Sequence, residues 1–152
     1  MKIDELLASR RIPFERLPHE PAYTANRVAQ TLHVRGNDVA KTVVLRTRRG
    51  YVVAVVPAPM RIDLEKLGRQ LNDDDVRIAS EEEIAQLFPD CEVGAMPPFG
   101  SVYHLPTVID DSLAEDERIV FEAQSHDAAI RMNYRDYEEI EHPIHGRFTR
   151  QS

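Results

Sequence analysis

Two β-rich runs, Val39 to Thr47 and Tyr51 to Ala58, stand on either side of the short break Arg48-Arg49-Gly50. β-Branched residues dominate both runs, and Gly50 can take the positive φ of a tight connection, so the pair reads as a hairpin. An isolated hairpin is marginal in water, so the rest of the chain must cover it. Residues 3 to 10 place Ile3, Leu6 and Leu7 on one face of a short helix. Thr24 can cap a second helix carrying Val28, Ala29 and Leu32, with its end expected near Gly36. Asp63 caps a third, and Ser80 followed by three glutamates opens a fourth that stops at Pro89. Strands are expected at Phe14 to Leu17, Val76 to Ser80, Ser101 to His104, Thr107 to Asp110, Arg118 to Ala123 and Ala128 to Met132. A last helix follows over Tyr134 to Ile140. Strands and helices mix without regular alternation, which predicts an α+β class with a mixed, curled, barrel-like sheet and helices outside. No repeat or linker divides the 152 residues, so one domain is expected, with a tail from about residue 142 that is frayed or loosely docked.

Charge narrows the function classes. Nineteen basic against 26 acidic residues give a net charge of −7, which argues against broad, sequence-blind binding to nucleic acid. A small basic patch or the docking of one RNA end stays open. The single cysteine, Cys91, excludes an internal disulfide and a zinc site built from several thiolates. The run from Tyr51 to Met60 is about half the ~20 residues of a membrane helix and contains two prolines. The first residues carry Asp and Glu where a signal peptide has its apolar region, so a cytoplasmic location is expected.

Two features can carry chemistry. In an extended strand Lys41 projects with Val39, Val43 and Leu45, and an ammonium on an apolar face must reach water or a partner. It reads either as a snorkelling or edge-guarding lysine or as a cation at the mouth of a pocket. The second feature is Val93 to Gly100, VGAMPPFG, in which Pro97 and Pro98 fix φ and carry no N–H. The amides of Gly94, Ala95, Met96, Phe99 and Gly100 remain as donors. The segment is either a stiff connection or a cradle for a carboxylate, phosphate or oxyanion.

A strand lysine in DVAKTVVLR followed by this loop resembles the YbaK/ProX family, the domain associated with prolyl-tRNA synthetase. Gly94, Pro98, Phe99 and Gly100 match its G-x-x-x-P-[FL]-G signature, and TVIDDSL and IVFEAQSHDAAIRMNYRDY are similar to its closing strands and last helix. The resemblance implies a deacylase that hydrolyses mischarged aminoacyl-tRNA in trans, for example alanine or cysteine on proline tRNA. It implies no metal or organic cofactor. Its partners would be the acceptor end of aminoacyl-tRNA and prolyl-tRNA synthetase, with no DNA and no membrane. On that reading Lys41 and the amides of Gly94, Ala95 and Met96 act on the ester. Pro98, Phe99, Gly100, Ser125 and His126 contact substrate, and Tyr23 stacks on the terminal adenine. Met96 stands where relatives commonly carry a small polar residue, which narrows the pocket.

Other residues read more simply. Cys91 has no evident histidine partner and suits a buried thiol. His142 and His145, like His19 and Glu20, lack a complete ligand set. Arg46, Arg48 and Arg49 beside the hairpin suit either an acceptor stem or a solvated turn. Two alternatives to an editing enzyme stay open: a non-catalytic docking module, and a hydrolase of small aminoacyl esters.

Overall fold

The computed structural model describes residues 2–18, 25–32 and 34–151. The hairpin forms as expected from β2 (Ala40–Thr47) and β3 (Gly50–Pro57), paired from Ala40–Pro57 to Thr47–Gly50 across Arg48 and Arg49. Gly50 takes φ 123°, a value that a side chain would strain. Apolar residues fill β3 because both its faces are covered. Val53 and Val55 pack with Phe99 and Phe121, while Val52, Ala54 and Val56 pack with Leu67 and Phe148.

Around this pair the chain builds a five-stranded sheet in the order β5-β2-β3-β6-β9, with β5 at Arg77–Ile78, β6 at Thr107–Asp110 and β9 at Ile144–Gly146. A second sheet orders β1 (Phe14–Pro18), β8 (Ala128–Asn133) and β7 (Arg118–Glu122). A third pairs β4 (Met60–Ile62) with β10 (Thr149–Gln151). The helices are α1 (Ile3–Ser9), α2 (Ala25–Leu32), α3 (Leu64–Leu71), α4 (Glu81–Leu87), the single turn α5 (Asp111–Ala114) and α6 (Tyr134–Glu141). Asp63 caps α3 by accepting from the Lys66 amide, and Ser80 with Glu83 forms a complete capping box on α4. No described helix is long and apolar enough to cross a membrane.

The mixed α+β class matches the expectation; the barrel does not. Among the described residues three separate sheets form and none closes. β5 is a two-residue exposed strand at one end of the large sheet, β9 lies at the other, and among the described residues the two main sheets share one backbone bridge, Val39–Val120, while their side chains pack in a common core. Three local expectations also differ. Ser101 to His104 is a 3-10 turn over Gly100–Tyr103, held because Ser101 N–H donates to Glu141 while Gly100 N–H donates to Thr107 Oγ1. The second helix stops at Leu32, before a 3-10 turn over Gly36–Asp38; its expected cap, Thr24, lies outside the described residues. The tail is docked: β9 runs parallel to β6, and β10 runs antiparallel to β4. Between them Phe148 is fully buried, its N–H donating to Asp110 and its carbonyl accepting from Asp63 N–H. Three-residue strands leave no readable periodicity, so only the assembled core reveals why Phe148 is there.

Phe148→Ala should therefore lower unfolding free energy by about 3–5 kcal/mol, read from the urea midpoint at constant m-value.

Candidate functional site

The segment from Val93 to Gly100 is pinned along its length. At its start Gln124 N–H donates to Ala95 O (3.0 Å), Glu92 N–H donates to Gln124 O (2.9 Å) and Ala95 N–H closes back on Glu92 O (3.0 Å). At its end Tyr137 OH donates to the Pro98 carbonyl (2.6 Å) and Gly100 N–H to Thr107 Oγ1 (3.0 Å). Phe99 is fully buried, edge-on to Phe121 and Tyr137 at 5.6 and 5.1 Å between ring centres. Pro97 and Pro98 are buried too, where the missing N–H leaves no donor to satisfy.

His126 holds the loop from beneath. Its Nε2 lies 2.7 Å from the Val93 carbonyl, an acceptor only, so Nε2 carries the hydrogen. Its Nδ1 faces Glu122 Oε1 at 3.3 Å. Gly94 has φ 91°, and a Cβ there would sit 3.3 Å from His126 Cε1, so both backbone shape and the imidazole favour glycine. Gly94 N–H is aimed at the Met96 sulfur at 3.3 Å, a weak acceptor.

One cavity of about 300 Å³ brings Lys41, Thr42, Gly94, Met96 and Glu122 to its wall, with Ile78 and Ile84 among its apolar lining. It lies along the outer edge of β2. Val39 bridges to Val120, and Val44 O accepts from Ala79 N–H; between them no strand of the described residues pairs on that side. Residues two apart on a strand turn their backbone groups the same way, so Thr42 presents its N–H and C=O outward, as Val44 does. The loop and the lysine approach from opposite faces of β2. Ala40 and Val44 pack in the cluster that holds Met96 and Phe99, whereas Val43 and Leu45, on the Lys41 face, pack toward Leu67 and Phe148. Lys41 Nζ donates to the Met60 carbonyl at 2.8 Å, and burial, followed by the charge of Arg61, lowers its pKa.

The candidates read from the sequence fall into three groups. Lys41, Gly94 and Met96 share the cavity. Ala95 and Gly100 do not offer amides, since both are already hydrogen-bonded, and Pro98, Phe99 and Gly100 are packed in the core as the loop's anchor. Ser125 donates to Asp127 and lines a different hollow beside Arg16 and Gln124; His126 stands behind the cavity wall, and Tyr23 lies outside the described residues. Of the hairpin arginines, Arg46 covers the Tyr51 ring and Arg48 pairs with Asp74. Burial pushes the Cys91 thiol up to about 12, as suits a non-nucleophilic thiol. His145 bonds to Asp111 and Glu138, and His19 and Glu20 lie outside the described residues.

Thr42 and Glu122 were not legible as site residues. Thr42 Oγ1 is buried without a hydrogen-bond partner among the described residues, a state that costs about 1–3 kcal/mol. Glu122 is only 7 % exposed, and burial pushes its carboxyl up to about 7 against the opposing pull of His126. The available signal was a carboxylate ending the apolar strand Ile119-Val120-Phe121, four residues before a histidine. For His126 burial alone would lower the pKa; the Val93 carbonyl and the carboxylates of Glu122 and Glu92 outweigh it, and the net shift is upward.

These shifts set a pH dependence. Glu122 holds its proton more tightly folded than unfolded, so the folded chain binds more protons between its ordinary 4.5 and about 7. Stability should fall as pH rises through that window, and Glu122→Gln should flatten the slope, read from urea midpoints between about pH 5 and pH 8. Asp116, raised to about 6 chiefly by burial, leaves a residual slope of the same sign.

Comparison with known proteins places this geometry. The family model of the aminoacyl-tRNA editing domain matches residues 19–140. The proline–tRNA ligase of Thermosipho africanus is 33 % identical over 87 residues, 54 % of this chain and 15 % of the ligase. That of Thermotoga neapolitana is 29 % identical over 101 residues, 66 % of this chain and 17 % of the ligase. The chain thus aligns with only a small part of these ligases. Among solved structures, hypothetical protein APE2540 superposes with a TM-score of 0.89 at 20 % identity, over 99 % of this chain and 100 % of that one. A protein proposed as a trans-editing enzyme for prolyl tRNA synthetase superposes with a TM-score of 0.83 at 21 % identity, over 97 % and 94 % of the two chains. At such identities the superpositions show a shared fold. The family match spans most of the sequence, from before the second helix to the end of the last, and the chain belongs to the aminoacyl-tRNA editing domain family.

Proposed function

We propose that this chain is a trans-acting deacylase that hydrolyses the ester of mischarged aminoacyl-tRNA. The observation that carries this reading is the shared cavity: a lysine, a positive-φ glycine and a rigid loop border one space at an open strand edge. An ester is already activated, so a positioned water and charge stabilisation suffice. At the cavity wall the loop offers the developing oxyanion the N–H groups of Met96 and of Gly94, the latter set against the weakly accepting Met96 sulfur, while those of Ala95 and Gly100 are engaged within the fold. Lys41 serves the terminal phosphate of the tRNA rather than the oxyanion, because its ammonium lies on the strand face away from the loop. Binding exchanges its bond to the Met60 carbonyl for a phosphate oxygen.

Discrimination works by exclusion. A cavity of about 300 Å³ is at the small end for ligand sites, and Met96 occupies part of its wall, so a small aminoacyl group such as alanine or cysteine enters and a larger one does not. Proline tRNA is the proposed carrier, with prolyl-tRNA synthetase the proposed partner in delivery, in keeping with the ligases that share this segment.

The test is a panel of mischarged tRNAs beside free aminoacyl esters. Release from alanyl- or cysteinyl-tRNA supports the reading, release only from esters lacking tRNA points to a small-ester hydrolase, and no release to a docking module. Lys41→Ala should lower kcat/KM on charged tRNA on the order of 100-fold with the protein still folded, checked by its thermal unfolding transition. Undiminished turnover would remove Lys41 from the mechanism.

A further inference from the structure

The proposed chemistry uses donors on the loop side of the cavity; the opposite need, for acceptors, points to the two residues left unexplained. In an aminoacyl ester the α-nitrogen is two bonds from the carbonyl carbon. A carbonyl held at Gly94 and Met96 therefore places an ammonium against the adjoining wall. That wall carries Glu122, separated from the loop by the width of one imidazole: His126 reaches the Val93 carbonyl with Nε2 and Glu122 Oε1 with Nδ1. The other carboxylate oxygen of Glu122 has no hydrogen-bond partner among the described residues and is not among their sealed, unpaired atoms. Thr42 Oγ1 is sealed and unpaired on a residue that lines the cavity, and a change of χ1 rotamer is the motion that would bring the hydroxyl to the cavity surface.

We infer that Glu122, with Thr42 as second acceptor, forms a subsite for the primary α-ammonium group of the aminoacyl moiety. The inference rests on the editing reading above and deepens it: the cavity selects a charged free amine, not merely a small acyl group. An entering ammonium gives the buried carboxylate the opposite charge that its surroundings supply only through His126, and gives the Thr42 hydroxyl the partner it lacks. His126 thereby acts as a positioning residue that orients Glu122 and the loop.

Binding, rather than turnover, tests this. The probes are 3′-deoxy-3′-(alanylamino)adenosine, a hydrolysis-resistant amide, and its lactoyl counterpart, in which a hydroxyl replaces the ammonium at nearly equal size. The intact protein should bind the alanyl probe at least about 10-fold more tightly by calorimetry, the range of one charge-assisted hydrogen bond. Glu122→Gln should bring the two affinities to within about 3-fold, the larger loss falling on the alanyl probe. Thr42→Val, which removes an unpaired hydroxyl and so leaves folding intact, should reduce the preference in part. A preference that survives in a folded Glu122→Gln protein, or no preference in the unmodified protein, overturns the subsite. A preference for the alanyl probe without hydrolysis of any charged tRNA would sustain the subsite and reject the deacylase.

Discussion

The site depends on a gap in a β-ladder. β2 is paired with β3 along its whole length, but on its outer side it meets β7 at Val39 and β5 only from Val44 onward. A fully paired β2 would close the space that Thr42, Gly94 and Glu122 border. An open edge is normally a hazard for aggregation, and here it is short, flanked by two sheets and shadowed by the loop. The same gap lets residues of both faces of the strand border one cavity: Lys41 and Thr42 line it beside Gly94 and Met96, although the Lys41 ammonium turns to the Met60 carbonyl.

Rigidity of the loop follows from where its hydrogen bonds go. Its carbonyls at Val93, Ala95 and Pro98 accept from His126, Gln124 and Tyr137, two residues of the turn between β7 and β8 and one of the last helix. Gln124 is a hub: its backbone holds Glu92 and Ala95, and its side chain bonds to Ile3, Tyr103 and Asp90. Consecutive prolines suit this burial, since each removes a donor that the core would otherwise have to satisfy. The loop therefore presents few free amides, and the ones it does present are held before any substrate arrives, the condition under which such donors are effective.

How much was readable in advance follows from the range of each interaction. The hairpin, the Asp63 and Ser80 caps and the last helix are local patterns, and each formed where its residues indicated. Lys41 and the Gly94–Gly100 signature were legible as features, and the family they resemble is the one to which the chain belongs. Which amides of the loop are free was not legible, because Ala95 and Gly100 are satisfied by Glu92 and Thr107 through contacts no motif encodes. Ser125 and His126 are adjacent in sequence yet face different hollows or none.

Sequence by itself determined the hairpin, the caps at Asp63 and Ser80, the last helix, the positive-φ turn at Gly50, and a lysine that must find a partner, because those follow from side-chain period, capping chemistry and φ. Tertiary structure alone decided that β2 stays unpaired at Thr42, that Phe148 draws the tail into the core, and that Glu122 reaches the cavity with one oxygen open. Each of these is settled by residues far apart in the chain competing for the same strand edge or the same buried space, and no local pattern records the outcome of that competition.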